Sequence, residues 1–110
     1  MLSFLAKQKK RNEISADELQ QHLAGGGKPR IIDVREPWEH EEGHIPGCTL
    51  RPLGEIQNWA GELNKEDEVV LVCRSGNRSG SAYEYLEKQG FTKLKNLSGG
   101  MIGWKGPVER

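Results

Sequence analysis

Residues Val69-Val70-Leu71-Val72 make an apolar run in which polar and apolar positions do not alternate. A strand with one face in solvent alternates, whereas a strand buried on both faces reads as this one does. Such a strand belongs in the middle of a parallel sheet with helices on both faces. The stretch from Glu68 to Cys73 therefore restricts the chain to an α/β architecture.

The flanking segments agree with that frame. Ser15-Ala16-Asp17-Glu18 is a capping box, with Ile14 and Leu19 as the matching hydrophobic staple. It predicts a helix from about Ala16 to Ala24, stopped by Gly25-Gly26-Gly27. Arg30 to Val34 reads as a short β-branched strand, closed off by Pro37, and Trp38 to Glu42 as a helical turn. Gly43 to Gly47 is a tight connection, and Cys48-Thr49-Leu50 a brief strand. Leu53, Ile56, Ala60 and Leu63 carry the spacing of an amphipathic helix, with Gly54 unfavourable inside it. Ser79 to Gln89 should be helical with its stop at Gly90, Phe91 to Leu97 should hold a last strand, and Gly99 to Trp104 a final turn. The 110 residues suit one domain, 13–110, preceded by a lead-in over 1–12.

Charge and cysteine usage narrow the function classes. Sixteen basic and sixteen acidic residues cancel, so no global field draws nucleic acid or an anionic membrane. No apolar run approaches the ~20 residues of a membrane span. The opening MLSFLAKQKKR puts apolar residues before basic ones, the reverse of a secretory signal, and reads as a frayed or short amphipathic tail. Cys48 and Cys73 are too few for a disulfide framework, and no Cys/His group has zinc-ligand spacing. His40 and His44 stand at helical spacing, but Gly43 and Pro46 break that helix, so no metal is expected. A free thiol in a reducing, cytoplasmic setting follows.

The chemistry concentrates after the central strand. Ligands of open α/β sheets bind outside the carboxyl ends of strands, where Cys73 sits with a helix just beyond it. Loop N–H groups from Arg74 through Ser75, Gly76, Asn77 and Arg78 to Ser79 can converge on one point, aided by the positive helix end. Gly76 permits the backbone orientation this needs, and Arg74 and Arg78 add charge. Such a cradle favours thiolate over thiol and makes Cys73 a candidate nucleophile toward an anionic or polarised substrate. A buried cysteine is commonly only a small hydrophobe, but these neighbours argue otherwise. Cysteine phosphatases space cysteine and arginine as C-x5-R; here the spacing is C-x4-R, one residue tighter. The shorter loop fits the outer sulfur of a thiosulfate, persulfide or polysulfide better than a phosphoryl group.

Four motifs in order resemble the rhodanese family over nearly the whole chain, from Ile14 to Trp104: Asp33-Val34-Arg35-Glu36, Glu42-Gly43-His44-Ile45-Pro46-Gly47, the Cys73-to-Arg78 loop, and Leu97-Ser98-Gly99-Gly100 through Trp104. The resemblance implies a five-stranded, mainly parallel sheet flanked by helices on both faces, and sulfane-sulfur transfer through a Cys73 persulfide to cyanide or a thiol, including a protein thiol. It requires no metal or organic cofactor. By position, the amides from Arg74 to Ser79 would hold the persulfide anion, and Arg78 and Arg74 would attract the donor. Asp33 and Arg35 are expected in an ion pair, His44 in tying down its turn, and Trp38, Trp59 and Trp104 in packing. Cys48 stands where the family usually has alanine, as a small buried side chain or as a resolving thiol for Cys73. The competing functions are a non-catalytic rhodanese-like binding module and a cysteine phosphatase or arsenate reductase.

Overall fold

The computed structural model describes residues 11–110, so the expectation for the tail up to Lys10 lies outside the described residues. Five strands form one parallel sheet: β1 (Glu13–Ile14), β2 (Arg30–Asp33), β3 (Thr49–Leu50), β4 (Val69–Val72) and β5 (Leu94–Leu97), in the order β1-β5-β4-β2-β3. β4 is central and buried along its whole length, as its apolar run requires. Its register sets Asp33 opposite Val72 and Leu71 opposite Asn96.

Four helices cover the sheet: α1 (Ala16–Ala24), α2 (Pro37–Glu42), α3 (Ile56–Trp59) and α4 (Asn77–Lys88). Strand alternation sends side chains into two cores. Val69, Leu71 and Cys73 point toward α3 and α4, among Ile56, Trp59, Tyr83 and Leu86. Val70 and Val72 point to the opposite face, among Leu19, Ile45 and Trp104. Ser15 closes the capping box of α1, accepting from the Glu18 amide at 3.0 Å while Glu18 accepts from the Ser15 amide at 2.9 Å.

Several boundaries depart from expectation. β1 is absent from the local pattern, because two residues cannot display alternation; pairing of Glu13 and Ile14 with Asn96 and Leu97 creates it. The helix expected over Leu53 to Leu63 breaks into two 3-10 turns, Leu53–Glu55 and Ala60–Glu62, around α3. Gly54 and Gly61 weaken it there. α4 starts at Asn77, two residues early, because Gly76 adopts a left-handed φ of 108° and starts the helix directly. Pro37 opens α2, where its missing N–H costs nothing. Trp38, expected to pack, is 63% exposed, since the short α2 turns it away from both cores. Trp59 and Trp104 do pack, each donating its indole N–H, to Pro52 and Pro107 carbonyls. Among the described residues no helix is long and apolar enough to cross a membrane.

Candidate active site

Cys73 leaves the carboxyl end of β4 and is 1% exposed. Its sulfur accepts the Gly76 N–H at 3.0 Å and the Ser79 hydroxyl at 3.3 Å. Burial pushes the thiol pKa up, but the Ser79 hydroxyl and the amides of Ser79, Gly76 and Ser75 outweigh it, and the thiol is held below its ordinary value. These contacts stabilise an anion on sulfur, which is what a nucleophilic thiolate requires.

The turn is braced from behind. The Met101 and Ile102 amides donate to the carbonyls of Cys73 and Arg74 at 2.9 and 3.0 Å. Gly100, at φ 55°, makes this approach possible: a Cβ there would lie 2.5 Å from both carbonyl oxygens. On the other side Asn96 gives its amide hydrogens to the Gly76 carbonyl at 3.3 Å and to Glu13 at 3.2 Å, and Ser98 donates to the same Glu13 carboxylate. Asn96 is buried with its Oδ1 unpartnered. Glu13, Asn96 and Gly100 were not legible as site residues, since their partners lie far away along the chain.

The predicted cradle divides into two groups. Ser75, Gly76 and Ser79 supply the groups that act on the sulfur. The side chains of Arg74 and Asn77 stand exposed. Arg78 turns aside and gives its two terminal nitrogens to Glu39, at 2.6 and 2.8 Å. That hydrogen-bonded pair holds the Glu39 carboxyl down at about 2 and raises Arg78. Local sequence gives no hint that Glu39 is the partner, because 39 positions separate the two.

Asp33 lies on the opposite sheet face from Cys73, between Ile32 and Val34, which belong to the Cys73 core. It takes Arg35 through Nε at 2.9 Å and Nη2 at 2.8 Å, the ion pair expected for these residues. Burial opposes the Asp33 charge, but hydrogen bonds from Arg35 and His40 overcome it and lower the carboxyl pKa. His44 ties down its turn through the His40 carbonyl at 2.8 Å, and the two imidazoles stack with centroids 3.7 Å apart. Asp33, His40 and Cys48 bring ligand-type atoms within 4.8 Å of one another. The arrangement suits a cation poorly, because the Arg35 guanidinium already occupies both Asp33 oxygens.

Cys48 packs against the other core, the one that holds Ile31, Ile45 and Val70. Thr49 and Leu71 are both level with Ile32, so Cys48 lies three residues back from Cys73 along the strands and two strands across. At ~3.3 Å per residue and ~4.8 Å per strand, their Cα atoms are on the order of 14 Å apart, beyond the about 4.4–6.8 Å of a disulfide. Burial and the Asp33 charge push the Cys48 thiol up to about 12. A resolving partner needs the opposite properties.

The family model for the Rhodanese-like domain matches residues 15–107. A sulfurtransferase of Allochromatium vinosum is 40% identical over 93 residues, covering 84% of this chain and 87% of that protein. A putative sulfur carrier protein of Bacillus subtilis, YrkF, is 43% identical over 97 residues; they make up 88% of this chain and 52% of that relative, so the chain spans about half of its length. The crystal structure of a rhodanese-like domain protein from Staphylococcus aureus superposes with a TM-score of 0.83 at 34% identity, covering 89% of this chain and 96% of that one. With the buried cysteine cradle and the parallel sheet already established, these matches identify the chain as a member of the rhodanese-like domain family.

Proposed function

We propose that the protein is a sulfurtransferase that carries sulfane sulfur as a persulfide on Cys73. The observation that carries this reading is the Cys73 sulfur, buried and held by the Gly76 amide and the Ser79 hydroxyl. The relatives named as sulfurtransferase and sulfur carrier support the same class.

The reaction needs only thiol exchange at sulfur. The Cys73 thiolate attacks the outer sulfur of a thiosulfate, persulfide or polysulfide. A Cys73–sulfur bond forms, the donor's sulfur–sulfur bond breaks, and its electron pair leaves as sulfite or a thiolate. Cyanide or a thiolate then attacks the outer sulfur of Cys73, and the Cys73 thiolate departs with the bonding pair. Depth favours this assignment: a cysteine at 1% exposure admits only slim reactants. Once loaded, the electrophilic sulfur lies one S–S bond, about 2 Å, beyond Sγ. Amides of Ser75, Gly76 and Ser79 stabilise the thiolate each time it is released. Arg74, exposed on the turn, supplies the positive field for an anionic donor, whereas Arg78 acts through Glu39. The chemistry suits a reducing cytoplasm, where thiols persist.

Mass spectrometry after polysulfide or thiosulfate treatment tests the reading. The wild type should gain one sulfur atom, and Cys73→Ala none. A wild type that gains no sulfur from any sulfane donor refutes the proposal.

A further inference from the structure

A groove of about 560 Å³ opens beside the Cys73 turn, lined by Arg74 and Arg78 from the turn and by Trp38, Glu42, Met101 and Ile102. Its size falls within the ~300–1,000 Å³ of small-molecule sites. Trp38 and Ile102 are 63% and 67% exposed, two of the three large apolar side chains left in solvent among the described residues. Scattered exposed apolar residues are ordinary, but these two line one groove beside the Cys73 turn.

Both walls are fixed to the turn. Ile102 donates its amide to the Arg74 carbonyl, and Met101 donates to Cys73. Trp38 rides on α2, whose next residue, Glu39, clamps Arg78. The charges are unevenly neutralised. Arg78 is matched by Glu39, while Arg74 has no carboxylate within ion-pair distance among the described residues. That cation favours the ionised form of an incoming thiol, while the Glu42 carboxylate on the same groove opposes it.

We infer that this groove binds the hydrocarbon part of an organic thiol acceptor, with Trp38 and Ile102 as specificity-determining residues. The inference rests on the sulfur-transfer reading above and adds to it which thiols the site prefers and which residues select them. The acceptor thiolate attacks the outer sulfur of the Cys73 persulfide; the new bond is thiol sulfur to outer sulfur, the old Cys73 bond breaks, and Cys73 leaves as thiolate. Cyanide, a two-atom ion, makes no use of the apolar walls.

The test loads the full chain with inorganic polysulfide and follows sulfur transfer to 2-mercaptoethanol, 4-mercaptobutanol, 6-mercaptohexanol and cyanide, with rates corrected for thiol ionisation. In the wild type kcat/KM should rise about twofold per methylene, as for a half-buried chain, and so roughly 15-fold across the series. In the Trp38→Ser/Ile102→Ser double variant, the ratio of the mercaptohexanol rate to the cyanide rate should fall about tenfold. Both sites are surface positions, and thermal unfolding checks that the variant stays folded. A flat series in a wild type that does transfer sulfur to cyanide overturns this inference alone. A slope that survives in the double variant overturns it as well. A flat series combined with fast transfer to a protein thiol reassigns the groove to a macromolecule. Failure of Cys73 to load sulfur removes the parent reading and this one together.

Discussion

Arg78 presents both terminal guanidinium nitrogens to the two carboxylate oxygens of Glu39, at 2.6 and 2.8 Å. The loop arginine is thereby a brace between α4 and α2. Glu39 is nearly buried, and the pair holds its pKa at about 2 against an ordinary 4.5. A depressed carboxyl stabilises the fold above its unfolded pKa and loses that contribution as pH falls through the folded one. The contribution should therefore be complete above about pH 5 and vanish between 4.5 and 2. Glu39→Gln should cost about 1–2 kcal/mol at neutral pH, less than a fully buried pair because Arg78 is partly exposed. It should also flatten the acid limb of stability; equal acid limbs in denaturant titrations of the two proteins would falsify the brace.

Ser79 donates its hydroxyl to the Cys73 sulfur. Ser79→Ala removes the largest of the groups that favour the thiolate, so the Cys73 pKa should rise. Less thiolate remains near neutrality, and the sulfur-loading rate there should fall about tenfold, as for a lost hydrogen bond to a charged group. The thiolate absorbance during a pH titration should shift in the same direction. An unmoved titration would leave Ser79 as packing alone.

Asn96 sets stability against positioning. Its Oδ1 is buried without a partner while its amide holds the Gly76 carbonyl. Asn96→Leu should change unfolding free energy by about 1 kcal/mol or less, because it also removes an orphaned acceptor. Sulfur loading should nevertheless slow, by roughly threefold, as Gly76 loosens. Equal loss of rate and stability would instead mark Asn96 as a core residue only.

Cys48 faces the other core, on the order of 14 Å from Cys73. Cys48→Ala should leave sulfur loading and turnover within about twofold of the wild type, and destabilise by about 1 kcal/mol for its partly buried sulfur. Peptide mapping under oxidising conditions should recover no Cys48–Cys73 disulfide. Finding that bond during turnover would restore the resolving role.

Gly100 meets the turn backbone to backbone. Gly100→Ala puts a methyl group 2.5 Å from the Cys73 and Arg74 carbonyl oxygens at a left-handed φ. The combined overpacking and backbone strain should cost about 2–4 kcal/mol. Calorimetry against Gly99→Ala, whose Cβ would meet nothing nearer than 3.8 Å, separates the clash from the glycine conformation that both positions share.

Much was legible in the sequence because it was local. The unbroken apolar run at Val69 to Val72 specified a central parallel strand, since no half-exposed strand is written that way. Ser15 and Glu18 marked the start of α1 within four residues. The Cys73 turn was readable because its cysteine, its glycine and its amides up to Ser79 all fall within seven consecutive positions, whereas the Ser79 hydroxyl on the sulfur was not foreseen. What the sequence could not carry was partnership across the chain. Arg78 looked like a free cation until folding brought it to Glu39, and Trp38 looked like a packing residue until α2 turned it to the groove. Two residues at Glu13 and Ile14 became a strand only by pairing with β5. The sequence by itself determined the central strand, the cysteine at its end and the turn around it, because those follow from periodicity and short-range backbone geometry. Only the tertiary structure decided which charge braces the turn, which face Cys48 takes and what lines the groove, because those contacts join residues that no local spacing relates.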